Sequence, residues 1–586
     1  MNFHVFAILV IILFLIISLY TEWIRPPKVF LLSAMAMVLT GIITIDDLLI
    51  GFSNKQILVI FLLMILTTGL QQYLGNSFFT KIFSPGLSSS VFRLRMMIFV
   101  AGFSSVLNNT PVVAFMMPYV KTWSNDNGFA ASKFLIPLSF ATILGGMITM
   151  VGTSTNLVLN GLVIQSGYPA LHFTDFLFLG LILTLIGITY LYFFSEKLLP
   201  AHVDTKQQLI ENLQNYLVET VVETKSEIIG KSIEEAGLRH LKDLFLVEIH
   251  RQGHVIAVVN PNEQLFENDQ LFFAGNPTAI LKLINEKNGL KLPESTHVFQ
   301  NGFFELTEAI IPSGSDLIGK SLKSSSFRDK YKASVISIFR NGQKVAGNLG
   351  EIYLDAGDLL LILSKKLKNS GANSKSLLYV EKRGNIAGNQ SRIMLLSVLL
   401  ALCFLVAGIL NLLDLFLAVS IAIGILISSK LLNQEQIRNT LDIDLAIILI
   451  SSLAIGLGIS KSGTADFLVD KLLNFTMSYP VWINLSMLFF VTLVLTSLIT
   501  NVATVSIMFP FALSMAQLLS LDATPFFVTI AFAASADFVT PIGYQTNLMV
   551  MGPGNYSFGD YTRIGFPLTI MYMLTVLVFI VNYYHL

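Results

Sequence analysis

Two stretches of this 586-residue chain place small polar side chains in the middle of apolar runs. Leu107 to Pro118 reads Leu-Asn-Asn-Thr-Pro-Val-Val-Ala-Phe-Met-Met-Pro, and Ile499 to Pro510 reads Ile-Thr-Asn-Val-Ala-Thr-Val-Ser-Ile-Met-Phe-Pro. They align without a gap, Asn109 on Asn501. Downstream, Gly152-Thr153-Ser154-Thr155-Asn156-Leu157 matches Gly543-Tyr544-Gln545-Thr546-Asn547-Leu548; the step from tip Asn to break Asn is 47 residues in one half and 46 in the other. Upstream, Gly69-Leu70 and a polar run ending at Lys81 resemble Gly456-Leu457 and a run ending at Lys471. Three blocks in one order at near-equal spacing mark an internal repeat.

The chemistry open to such blocks is ion binding. Broken helices in an apolar medium turn free N–H groups and positive dipole ends toward anions. Freed carbonyls and the oxygens of Ser, Thr and Asn suit a hard cation such as Na⁺. These tips carry no Lys, Arg or His, so an anion there would be held by neutral dipoles, its charge balanced by co-bound cations. Small polar residues also glue membrane helices together, but glue does not require both Asn-centred tips to recur in register with both Gly-x-x-Thr-Asn breaks. Paired polar interruptions in the two halves of a membrane chain point to a transporter's midplane site. Asp537, six residues before Gly543, is an acid inside an apolar run; it reads as a cation or proton ligand, or as a boundary residue at a wet vestibule. Asp175, Asp560 and Arg563 lie at span starts beside aromatics and read as interfacial.

The elements that must hold these residues follow from hydropathy. The chain is 54% hydrophobic and 13% charged, with a mean hydropathy of +0.70, against about 25% charge in soluble domains. Runs long enough to cross a bilayer cover 3–21, 29–47, 56–74, 133–162 and 173–196, then 393–411, 413–430, 443–460, 522–550 and 563–584. The runs 133–162 and 522–550 are interrupted. The stretches 93–120 and 482–518 are too long for one span and too polar at the centre for two, and read as re-entrant hairpins. Arg25, Lys28, Lys81, Arg93, Arg95, Lys121 and Lys197, with Arg392, Lys430 and Arg438, are consistent with one cytoplasmic side. Five crossings per half then invert the second half relative to the first. The expected fold is an all-α polytopic membrane protein, an inverted repeat of five spans plus one re-entrant hairpin each, with a cytoplasmic α+β insert. A net charge of zero argues against nucleic acid, and a single cysteine, Cys403, excludes an intrachain disulfide. The first apolar stretch lacks a basic leader and reads as a retained span.

The paired tips and breaks resemble those of the divalent anion/sodium symporter family, the dicarboxylate and sulfate carriers, across both membrane halves. In that family each tip reads Ser-Asn-Thr and each break approximately Gly/Ala-Thr-Pro-Pro-Asn. The resemblance implies Na⁺ ligands at Ser104, Asn108, Asn109 and Gly152, and at Thr496, Asn501 and Gly543. It implies substrate contacts at Asn108, Asn109, Thr110, Thr153, Ser154, Thr500, Asn501, Tyr544 and Gln545. It further implies a homodimer and an elevator motion. This chain departs from the pattern at Asn108-Asn109-Thr110 and Thr500-Asn501-Val502, and both Pro-Pro pairs are replaced, by Ser154-Thr155 and Gln545-Thr546. The second tip thus lacks the threonine hydroxyl that the dicarboxylate branch uses. Fewer donors on one side suit a compact tetrahedral anion, so the expectation is sulfate or a related oxyanion, with a dicarboxylate as the alternative.

Residues of about 200–380 change character to period-two strands, and they repeat. Ile228-Ile229-Gly230-Lys231-Ser232 matches Leu317-Ile318-Gly319-Lys320-Ser321, Arg251-Gln252-Gly253 matches Arg340-Asn341-Gly342, and Asn268-Asp269-Gln270-Leu271 matches Gly357-Asp358-Leu359-Leu360. Gly-Lys-Ser is not a nucleotide loop here, because the first glycine of that motif is missing in both copies. The copies resemble the C-terminal domains of RCK potassium-channel regulators, which implies a regulatory site for a small nucleotide-type ligand, or a purely structural role in the dimer. The expected division is 1–199 and 383–586 for the membrane repeats, with insert units at 200–295 and 296–382. The expected function is Na⁺-coupled import of a divalent anion across a bacterial inner membrane, not enzymatic chemistry. A regulated ion channel and a transport-inactive membrane sensor are the alternatives of another class.

Overall fold

A computed structural model describes residues 3–21, 24, 26–73, 83, 86–202, 217–224, 226–238, 241, 244–252, 254–257, 260, 262–275, 289–291, 304–312, 315–331, 333–340, 343–345, 350–365, 373–374, 377–379, 392–410, 412–441, 443–476 and 479–586. Arg25, Lys81, Gly253, Asn341 and Gly342, singled out above, lie outside the described residues. The chain divides into two compact units, Met1–Ala201 with Lys382–Leu586, and His202–Glu381.

The first unit is helical. Its first half runs Phe3–Tyr20, Pro26–Leu39, Lys55–Tyr73, Ser89–Ser104, Asn109–Asp126, Leu135–Gly146, Ser154–Gln165 and Phe173–Leu198. Its second half runs Arg392–Ile409, Leu415–Ser428, Ile443–Lys461, Val481–Thr496, Asn501–Leu518, Thr524–Ala534, Gln545–Gly554 and Phe558–Tyr583, in the same order. Among the described residues five helices are long and apolar enough to cross a membrane, in Ile45–Leu70, Phe173–Leu198, Ile443–Lys461, Asn501–Leu518 and Phe558–Tyr583.

The run 29–47 is not one span. The helix stops at Leu39, Gly41 takes φ +70°, and Thr44 starts a new helix, Ile45–Ile50, through a reciprocal capping box with Asp47. A cap of this kind satisfies two orphan donors at once, which outweighs the weak preference of an apolar run to continue. The polar run ending at Lys471 lies in a helix of its own, Thr464–Thr476, with Val469 and Leu473 buried.

Both tips are short breaks between two helices. Each second helix starts at its Asn, and each tolerates a proline as its tenth residue, Pro118 and Pro510. Proline removes one helical hydrogen bond and bends the axis. The interrupted spans break over 147–153 and 535–544.

Hydrogen bonds fix how the halves meet. Tyr584 donates to Asp175 Oδ1 at 3.0 Å, and Tyr190 donates to the carbonyl of Ile564 at 2.9 Å. The two final helices, Phe173–Leu198 and Phe558–Tyr583, therefore lie antiparallel. The second helix of each half packs on the third helix of the other: Pro26–Leu39 on Ile443–Lys461, and Leu415–Ser428 on Lys55–Tyr73. Ion pairs close both junctions, Lys461 with Asp47 at 2.7 Å and Lys55 with Asp414 at 2.5 Å. Buried Arg93 pairs with Glu196, and Lys133 Nζ donates to the carbonyls of Glu196 and Leu199 at 2.7 and 2.6 Å. Arg93, Lys133 and Lys197 thus gather at one end of the unit.

The second unit contains two antiparallel sheets. One has the order β3 (His254–Ala257), β2 (Leu244–Arg251), β4 (Gln270–Gly275), β1 (Leu217–Val222), β5 (Leu290–Lys291). The other has the order β8 (Gln343–Lys344), β7 (Ala333–Arg340), β9 (Leu359–Lys365), β6 (Phe304–Ile310), β11 (Leu377–Tyr379), β10 (Asn373–Ser374). Their details repeat. A register shift falls at Leu246/Glu248 in one and Val335/Ser337 in the other. Arg251 clamps buried Asp269 with two bonds of 2.8 and 2.9 Å and donates to the Gln264 carbonyl; Arg340 does the same to Asp358, at 2.8 Å twice, and to the Tyr353 carbonyl. Burial pushes the Asp358 carboxyl up from its ordinary range, and Arg340 opposes that shift. Gly230 and Gly319, at φ +79° and +71°, donate to the Leu265 and Leu354 carbonyls at 2.8 Å. Both Gly-Lys-Ser segments are turns joined by isolated bridges to segments outside the strands, Ser232 to Gln264 and Ser321 to Tyr353.

Candidate anion and cation site

Asn109 opens the helix Asn109–Asp126 and is 1% exposed. Its amide lies between the Ser104 hydroxyl and the Tyr544 hydroxyl. With the amide turned so that its oxygen accepts from Tyr544, its nitrogen faces the Ser104 hydroxyl and the carbonyls of Thr142 and Gly152, the last two at 3.2 and 3.3 Å; amide orientation is assigned from such networks. The second tip repeats the pairing in register, with the Thr496 hydroxyl 2.9 Å from Asn501 Oδ1 and 2.6 Å from the Ala534 carbonyl, the two acceptors between which its one proton lies.

Tyr544 joins the halves. It caps the helix Gln545–Gly554, and its hydroxyl lies 3.4 Å from Thr153 Oγ1 while meeting Asn109, with Asn501 also facing it. Thr110 Oγ1 bonds Gln545 Oε1 at 3.2 Å beside this group. Residues 435 positions apart in sequence are thereby held in contact.

Other candidates stand aside. Asn108 caps its helix without a side-chain bond to it, Ser154 opens the helix after the first break half-buried, and the exposed Thr500 turns its oxygen to the amide of Ala503 in its own cap. Val502 is buried.

Each break glycine leaves a cradle of oxygens. A Cβ on Gly152 would fall 2.5 Å from the Ser104 carbonyl and against that of Gly146; a Cβ on Gly543 would fall 2.5 Å from Asp537 Oδ2 and against the Thr496 carbonyl. Two oxygens converge on one point in each half, beside the tip Asn. A hard cation wants oxygen ligands, and the residues present fit Na⁺.

The breaks are braced by the motif residues Asn156 and Asn547 and by Thr149, Thr540 and Ser139, which the motif comparison alone does not reach. Asn156 Nδ2 donates to the Thr149 carbonyl at 3.3 Å, and Asn547 Nδ2 to the Asp537 and Thr540 carbonyls at 2.8 and 3.4 Å. Thr149 Oγ1 accepts from the amides of Val151 and Gly152, whereas Thr540 Oγ1 donates to Asp537 Oδ1 at 3.1 Å. Ser139 reaches across to Thr546 and Asn547. Extending the repeat alignment outward, Thr149 onto Thr540, is the signal that finds them.

The CitMHS family, described as citrate transporters, matches residues 11–427 and 405–585. The chain belongs to the CitMHS family. This family member is 31% identical to a Chlamydomonas reinhardtii protein named for regulation of the sulfur deprivation response, over 91% of this chain and 94% of that one. It is 30% identical to an uncharacterized transporter of Synechocystis over 97% of this chain and 95% of that one. It is 28% identical to Sodium/sulfate cotransporter 2 of Chlamydomonas reinhardtii over 58% of this chain and 41% of that one. Among solved structures, the YdaH transporter of Alcanivorax borkumensis aligns with 92% of this chain and 87% of that one, at a TM-score of 0.45 and 10% identity. The CitMHS protein is a membrane-embedded secondary transporter and not an enzyme.

Proposed function

We propose that this CitMHS protein is a Na⁺-coupled importer of a divalent oxyanion, with sulfate favoured over a dicarboxylate. The observation that carries the reading is the pair of oxygen cradles at Gly152 and Gly543, each beside a tip Asn bonded in register to a hydroxyl five residues earlier. In this reading Na⁺ is held by Ser104, Asn109 (its amide oxygen turned from Tyr544 to the cation on binding) and Gly152 in one half and by Thr496, Asn501 and Gly543 in the other, with Asn108 at the rim of the first. The anion lies between the tips, against Asn109, Thr110, Thr153, Ser154, Tyr544 and Gln545, with Thr500 and Asn501 on the far side. Neutral donors bind it, and the cations supply the balancing charge that the cluster's lack of Lys, Arg and His leaves wanting.

The anion class follows from what faces it. Thr110 supplies a hydroxyl on one tip, while its counterpart Val502 supplies none and is buried. Relatives named as sodium/sulfate cotransporters agree with a compact anion; the family description names citrate, which carries three carboxylates and needs more donors than the second tip offers. The antiparallel final helices and the reciprocal packing of second on third helices support an inverted repeat, and with it alternating access by an elevator motion in a homodimer. The gathering of Arg93, Lys133 and Lys197 at one end supports placing that end, and the insert that follows Leu198, in the cytoplasm. In the insert, the paired Arg-carboxylate clamps support a tandem RCK C-terminal-like architecture with a structural or ligand-responsive role.

Uptake of labelled sulfate into proteoliposomes tests the reading, with an inward Na⁺ gradient or K⁺ in its place. Na⁺-driven accumulation, competed by unlabelled sulfate more strongly than by succinate or citrate and abolished by Asn109→Ala and by Asn501→Ala, is expected. Accumulation indifferent to Na⁺, or normal flux in either variant, overturns it.

A further inference from the structure

The two cradles are not equal. Gly146 stands six residues before Gly152, and Asp537 six before Gly543. Where the first half offers a backbone carbonyl to the point beside its break glycine, the second offers a carboxylate oxygen. The first half has no room for a matching acid, since even a Cβ on Gly146 would collide with the Asn109 amide.

Asp537 is 0% exposed. Its Oδ1 accepts from Thr540, while its Oδ2 has no hydrogen-bond partner and is the atom aimed at the cradle. Backbone amides of Thr540, Gly543 and Tyr544 face the carboxylate and brace it as a cap would. A buried carboxylate oxygen without a partner is costly, and a positive ion in the cradle removes that cost. Asp175, the other buried acid among the described residues of this unit, is spent on its own helix cap and on Tyr584.

Building on the proposed Na⁺ sites, we infer that Asp537 is an anionic ligand of the second one, so that the two cation sites differ in kind. The second carries its own negative charge and fills with Na⁺ when no transported anion is present. The first offers only neutral oxygens, and its cation arrives with the anion. Loading is therefore ordered, with one cation before the substrate and one alongside it, and the protein's own carboxylate offsets one cation charge in the loaded carrier.

The test uses the full-length protein in detergent, without sulfate or any dicarboxylate. Radiolabelled Na⁺ binding and the rise in melting temperature when NaCl replaces choline chloride are both measured. Wild type is expected to show saturable Na⁺ binding and a matching stabilisation. Asp537→Asn keeps shape and removes charge, and is expected to weaken that binding about tenfold or more. If Asp537→Asn does not fold, Asp537→Ser, smaller and likewise uncharged, is read in the same way. Wild type without anion-free Na⁺ binding, or either folded variant retaining it, overturns the inference. Sulfate uptake separates this outcome from the reading beneath it. Na⁺-driven uptake with undiminished Na⁺ binding in folded Asp537→Asn defeats the ordered-loading inference alone, and Asp537-dependent Na⁺ binding in a protein that takes up no sulfate defeats the transport reading alone.

Discussion

Tyr544→Phe removes one oxygen and nothing else, at the point where the halves touch. In the unloaded protein that hydroxyl meets Asn109 and lies 3.4 Å from Thr153. Each such bond contributes about 0.5–1.5 kcal/mol net, and the longer one contributes at the low end. A loss of about 1–2 kcal/mol in stability follows, small enough for the ring, which is 7% exposed, to hold its place. Toward a bound oxyanion the same hydroxyl makes a charge-assisted bond worth about 1.5–3 kcal/mol. Its removal raises the half-saturating sulfate concentration by the difference between the loaded and unloaded losses, about 0.5–2 kcal/mol or about 2- to 30-fold. The assay is initial-rate sulfate uptake in proteoliposomes at saturating Na⁺, with Na⁺ half-saturation measured alongside. The reasoning requires the sulfate constant to move much more than the Na⁺ constant. A variant whose sulfate constant stays within twofold of wild type refutes the placing of the anion between the tips.

Val502→Thr restores a hydroxyl to the second tip and is expected to move competition toward succinate by several-fold; an unchanged rank order counts against the role given to the Thr110 and Val502 asymmetry. Arg340→Ala leaves Asp358, fully buried, with only the Asp355 amide at 2.9 Å among its described partners there. Breaking a buried pair costs about 3–5 kcal/mol, so limited proteolysis should nick the insert of the full-length variant well before that of wild type. Replacing residues 205–380 by a flexible linker is expected to keep sulfate binding in the membrane unit while altering assembly or regulation; a folded variant that binds no sulfate contradicts the separation of the two units.

Much of this was legible from sequence because the same local bonds are written twice. A hydroxyl five residues before a tip Asn meets it in both halves, at Ser104 and Thr496, the positions that the family resemblance implied. Arg251 with Asp269 and Arg340 with Asp358 were visible as matched residues for the same reason. What lay hidden depended on long-range packing. Nothing local to Tyr544 says that its hydroxyl reaches Asn109 in the other half. Thr500 looks like a substrate donor in an aligned tip, and its oxygen also accepts the Ala503 amide in its own helix cap, which leaves the O–H to donate. The apolar run 29–47 conceals a stop, because Thr44 and Asp47 form a cap that hydropathy averaging erases. Asp537 was visible as a membrane acid, but its meaning required seeing that Gly146 holds the matching place.

The contact between Asn109 and Tyr544 also sets a schedule for biogenesis. At about 5–20 residues per second, a ribosome adds the 435 residues between them in roughly 20–90 s. During that interval the insert and most of the second half are made, and Asn109 is without Tyr544. Until the chain has passed Tyr544, the partners open to Asn109 are those of its own half, Ser104 and the carbonyls of Thr142 and Gly152.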